Sequence, residues 1–189
     1  MKTAARMGPD LLEMARVALV RAVNVGGTGR LPMTELAAAC REIGWTEVKT
    51  YLASGNVVFR GTGTEKEMVA RLEAKLGCAM GKPVTVLLRT ARELEDALRR
   101  NPFGESESAR TLIFFLPLAA PPDAARTATG RKREEIASSG REVFVHYPDG
   151  IADSRLKIPA VRAGTARNLN TVRKLEEMAR TLDSRSRSE

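Results

Sequence analysis

Residues 48–60 read VKTYLASGNVVFR. Two short runs of β-formers, 48–53 and 56–60, flank Ser54-Gly55, and this pattern predicts a β-hairpin. Upstream, VALVRAVNV at 17–25 is β-branched and bounded by Gly26-Gly27, as expected of a buried strand. Between them, Pro32 opens a helix that places Met33, Leu36, Ala37, Cys40 and Ile43 at helical spacing, and Gly44 closes it. Downstream, Thr64 with Glu67 is a capping box. The helix behind it sets Met68, Val69, Leu72 and Leu76 on one face, and its stop is predicted at Gly77. A strand over 82–89 follows. The order is βαββαβ, so the predicted fold class is α+β, with a ferredoxin-like first half. Its first and second strands should run in the same direction.

The second half reads as a smaller α+β unit. Thr90 with Glu93 starts a helix with Leu94, Ala97 and Leu98 inward, and Asn101-Pro102-Phe103-Gly104 breaks it. Strands are predicted at 111–116 and 142–147, with a Pro- and Ala-rich loop over 117–130 and a short charged helix over 131–137. A last helix spans 171–182, with Asn170 as its N-cap. The expected domains are a loose extension at 1–13, halves at 14–89 and 90–182, and a solvated tail at 183–189. No exact repeat is visible, although the halves have similar element content.

Composition narrows the function. Two cysteines cannot staple a chain of 189 residues, and two cysteines with one histidine leave little for a zinc site. Any Ser-His or Cys-His mechanism would rest on His146 alone. No apolar run is long enough to span a membrane, and residues 1–13 lack the apolar core of a secretory signal. A cytoplasmic, reducing location is therefore expected, with no membrane partner, no metal and no cofactor. Lys and Arg exceed Asp and Glu by 31 to 23, giving +8. Basic clusters are dispersed and aromatics make up only 4%, a poor supply of stacking platforms. Nucleic-acid binding is therefore expected to be weak, nonspecific and salt-dependent.

Three polar segments stand out. Asn24, Gly26, Gly27 and Arg30 lie in a glycine-rich loop between strand and helix, a backbone setting that favours anions. Ser54 and Asn56 bracket the hairpin turn, at the sheet edge where that loop should also emerge. Arg167 and Asn168 precede the last helix and exceed what a cap requires. Together these eight residues are the expected site, with Arg167 converging on the other two segments to bind a nucleotide or other phosphate-containing anion. Two alternatives stand beside it. One is a Mg²⁺-dependent enzyme on a phosphorylated substrate, using Asp149 or Asp153. The other is a protein-interaction module whose polar loops are structural.

The motifs also resemble a known family. Arg21-Ala-Val-Asn-Val-Gly-Gly27, Pro32-Met-Thr-Glu-Leu36 and Thr50-Tyr-Leu-Ala-Ser-Gly-Asn-Val-Val-Phe59 are similar to the pattern of domain-of-unknown-function family 1697. Asn101-Pro-Phe103, Tyr147-Pro-Asp-Gly150, Ser154-Arg-Leu156 and Arg167-Asn-Leu-Asn-Thr171 extend the likeness over about 14–180. Ala22 stands where the pattern has Gly, Arg155 where it has Lys, and Leu169 where it has Trp. The resemblance implies an α+β fold built from ferredoxin-like halves and implies no reaction.

Overall fold

A computed structural model describes residues 14–24, 30–104, 106 and 108–185. Gly26, Gly27, the 1–13 extension and the last four residues of the expected tail lie outside them. The chain divides into two units, Met1–Thr90 with Ala179–Glu189, and Ala91–Met178.

The first unit holds β1 (Met14–Val20), α1 (Met33–Glu42), β2 (Thr46–Tyr51), β3 (Asn56–Gly61), α2 (Glu65–Met80) and β4 (Val86–Thr90). The strands form one sheet in the order β2-β3-β1-β4, with all neighbours antiparallel. β1 and β2 both oppose β3 and so run the same way, as the βαββαβ order requires. Residues of α1 (Leu36, Cys40) and α2 (Met68, Leu72, Leu76) share a core with Ala18, Val57, Phe59 and Leu88 of the sheet. Both helices therefore cover one face. β1 is buried on both faces, which explains its near-continuous apolar run.

Local chemistry sets the element ends. The capping box at Thr64 is present: its Oγ1 accepts the Glu67 N–H, and Glu67 Oε2 accepts the Thr64 N–H at 2.9 Å. The predicted stop at Gly77 is corrected. Gly77 stays inside α2, and Gly81, at φ +65°, takes the left-handed cap. Over the described residues β1 begins three residues and ends five residues before the predicted bounds. Its exit is set by Ala22 and Asn24, whose φ values of +50° and +57° cannot continue a strand. Ala22 thus occupies a left-handed position at the point where the family pattern has glycine.

The second unit holds α3 (Ala91–Arg100), β5 (Thr111–Phe115), β6 (Glu135–Ser139), β7 (Glu142–His146), β8 (Thr165–Asn168) and the start of α4 (Leu169–Arg185). Its sheet order is β6-β7-β5-β8, again all antiparallel. With β5 to β8 standing for β1 to β4, this is the strand order of the first unit. The two helices of the first unit have no α-helical counterpart here. Segments 116–134 and 147–164 replace them and bring Leu116, Ala124 and Ile158 into a core with Val143, Val145 and Tyr147. Two predictions are corrected. Residues 131–137 are not a helix, because the second part of that stretch joins the sheet edge as β6. The helix cap is Asn168, whose Oδ1 accepts the Thr171 N–H at 2.8 Å, while Asn170 is exposed in the first turn. The last turns of α4 belong to the first unit. There Asp183 accepts the Ala15 N–H at 2.8 Å, and Arg60 donates to the Leu182 carbonyl.

Candidate functional site

The described ends of the glycine loop and the hairpin turn of the first unit meet, and Asn24 is the bracket. Its Nδ2 donates to Ala53 O at 2.7 Å and Leu31 O at 2.9 Å, and its Oδ1 accepts the Leu31 N–H at 2.8 Å. Both amide hydrogens and the carbonyl thus close the loop. Asn56 is fully buried and donates to Tyr51 O and Ser54 Oγ, both at 2.9 Å. Gly55 is obligatory between them. At φ +76°, a Cβ there would stand 2.6 Å from Val23 Cγ2. Only Arg30 among these described residues presents an exposed charge.

Arg167 and Asn168 lie in the second unit. Arg167 sits on β8 opposite Ile113, buried, with its Nη1 donating to Thr165 Oγ1 and Ala166 O, both at 2.7 Å. Burial pushes its guanidinium down to about 10. Asn168 caps α4, as described above. Asn24, Ser54, Asn56, Arg167 and Asn168 therefore all do structural work.

A second constellation lies where segments 129–134 and 147–157 meet. Thr129 and Lys157 exchange two backbone hydrogen bonds, at 2.9 and 2.8 Å. Gly130, at φ +68°, packs under the Arg155 carbonyl so closely that a Cβ would stand 2.2 Å from the oxygen. Arg133 pairs with Asp149 at 2.7 Å. At the centre, the buried Glu134 accepts the Ser154 hydroxyl on Oε1 and the Lys132 N–H, at 2.6 Å, on Oε2. The Ser154 hydroxyl, and then the Lys132 N–H, hold the Glu134 carboxyl below the usual carboxylate value. Tyr147 is buried beside it. Its phenol is pushed up by burial and secondarily by the Glu134 charge. Ser154 Oγ also accepts the Leu156 N–H at 3.2 Å, which fixes the hydroxyl in place.

Above this base opens a cavity of about 570 Å³, lined by Lys132, Ala152, Asp153, Ser154 and Arg155. Lys132 and Arg155 are exposed, and neither charged head group has a hydrogen bond or ion pair among the described residues. Two exposed cations without a hydrogen bond or ion pair, one of them also in the field of Glu134, stand beside a fixed hydroxyl and can take a phosphate. Asp153 adds a carboxylate that can accept from a ligand hydroxyl. Among the described residues no group of three or more His, Cys, Asp or Glu gathers for a metal, and Asp149 is engaged by Arg133.

Sequence reasoning missed Lys132 and Glu134, because the 131–137 stretch reads as a solvated charged helix. It noted Arg155 only as a replacement for Lys. The usable signal was the spacing of Tyr147-Pro-Asp-Gly150 and Ser154-Arg-Leu156, whose residues meet in this loop pair.

Comparison with known proteins bears on family and fold. No curated protein matches the chain. Among solved structures, the conserved bacterial protein SP0830 from Streptococcus pneumoniae is similar at a TM-score of 0.73 and 22% identity, covering 89% of this chain and 99% of its own. That likeness concerns the fold alone. A family model described as "Protein of unknown function (DUF1697)" matches residues 14–144, more than half of the chain, and the protein therefore belongs to the DUF1697 family.

Proposed function

We propose that the protein binds a phosphate-bearing anion, a nucleotide or phosphorylated metabolite, in the Lys132–Ser154–Arg155 cavity of its second unit. The observation that carries this reading is Glu134. A buried carboxylate is costly unless it is hydrogen-bonded. Here its bonds go to the Ser154 hydroxyl and the Lys132 backbone, and so they hold together the two segments that bear the exposed cations Lys132 and Arg155. The aromatic supply argues against base-stacking readout. Phe59, the only aromatic on β3, is fully buried under Trp45. Nucleic-acid contact is accordingly confined to salt-dependent attraction of dispersed Lys and Arg.

The test is a thermal-shift screen over nucleotides and phosphorylated metabolites. A ligand at one hundred times its Kd adds about 2.7 kcal/mol. For a chain of this length, that raises Tm by about 5–10 °C. The R155A variant loses a charge-assisted contact worth about 1.5–3 kcal/mol, so affinity falls about 10–100-fold. A screen with no hit, or a hit that R155A leaves untouched, defeats the proposal.

A further inference from the structure

Among the described residues, two buried donors on the helix-covered face of the first sheet have no acceptor. Arg16 lies on β1 between Phe59 of β3 and Thr90 of β4 in the ladder, on the face it shares with Ala18. It is 8% exposed, and its Nη1 is buried without a hydrogen-bond partner. Trp45 is 3% exposed, and its ring lies flat on Phe59, with centroids 3.8 Å apart and planes 4° from parallel. Its Nε1 is likewise buried and unpartnered. Arg16 is thus the ladder neighbour of the phenylalanine whose ring Trp45 covers.

Native interiors leave few donors orphaned, and an uncompensated buried guanidinium is the costliest kind. Among the described residues Arg16 Nη1 and Trp45 Nε1 are two such orphaned donors on one face of the sheet. We propose that Arg16 and Trp45 form an internal site for one small anion on this face, with the guanidinium supplying charge and the indole N–H a second donor. This site is independent of the Lys132–Arg155 cavity.

Trp45 is the only tryptophan of the chain, so its emission reports on this place alone. The experiment titrates sodium formate into the full-length protein at constant ionic strength, balanced by the much larger gluconate. Wild-type protein should show a saturable shift in Trp45 emission and a Tm that rises with formate concentration. The R16M variant, of similar length and uncharged, should lose both responses and be at least as stable as wild type in formate-free buffer. W45F should keep a weakened thermal response. No saturable change in wild type overturns the proposal. So does an equal response in R16M. Destabilisation of R16M in formate-free buffer overturns it as well, since Arg16 would then already have its acceptor within the protein.

Discussion

Replacing Gly130 with alanine tests whether the cavity depends on the close approach of two loop segments. Gly130 and Gly150 lie in the two facing segments, and both are left-handed, at φ +68° and +91°. They differ in surroundings. A Cβ on Gly130 would stand 2.2 Å from Arg155 O and 2.9 Å from its carbonyl carbon, whereas one on Gly150 meets nothing within 4 Å. For alanine the left-handed backbone costs about 1–2 kcal/mol, and the stiffer unfolded chain returns about 0.4–1 kcal/mol. The G150A variant should therefore lose no more than about 1.6 kcal/mol. In G130A the backbones must part, which breaks the two Thr129–Lys157 hydrogen bonds at about 1 kcal/mol each. Its loss should reach about 2–3 kcal/mol, or about 5–10 °C in Tm. Urea unfolding of both variants measures the difference, and ligand titration of G130A should show a weakened anion response because Arg155 is displaced. If G130A is no less stable than G150A, the segments do not pack as described and the cavity loses its floor.

Three further outcomes are expected. The A22G variant relieves a left-handed alanine at φ +50° and should gain about 0.5 kcal/mol after the entropy of the freer glycine is subtracted; a loss in urea midpoint would contradict that backbone assignment. Native protein should react with a thiol reagent at Cys78, which is exposed; Cys40 is buried with its thiol pushed up to about 12, so it should react only on unfolding, and comparable native rates at both would refute the α1 packing. The Glu134 carboxyl titrates below its usual value of 4.5, so its stabilising effect is present above that value and is lost as pH falls below it. The E134Q variant should therefore show a shallower acid loss of urea midpoint than wild type, whereas parallel curves would remove Glu134 from the account.

The first unit was legible because each of its elements announces itself locally. The hairpin at Ser54-Gly55, the box at Thr64 and Glu67, and the inward stripes of α1 and α2 agree with one another. The strand order of the second unit was hidden for a physical reason. Where the first unit uses helices with a readable period, the second covers its sheet with irregular segments whose buried residues, such as Ala124 and Ile158, follow no period. β6 is half-exposed at an edge, and β8 is four residues long, so neither carries a strong pattern. The site residues divide the same way. Asn24, Asn56 and Asn168 stand out in the sequence as polar residues near glycine and helix ends, yet asparagine is common in loops and caps because it closes them, and Asn168 is the cap it is expected to exceed. Glu134 could not be found from sequence, since its meaning comes from Ser154, twenty residues on.

The central claim is that the Lys132–Ser154–Arg155 cavity, and not the glycine loop of the first unit, takes the anion. Calorimetric titration of inorganic pyrophosphate into wild type, K132A/R155A and R30A separates them. Saturable binding to wild type is expected, with a loss of at least about 100-fold in the double variant and an R30A affinity within about twofold of wild type, as follows for two charge-assisted contacts on one site and none on the other. Binding abolished by R30A and retained by K132A/R155A would contradict it.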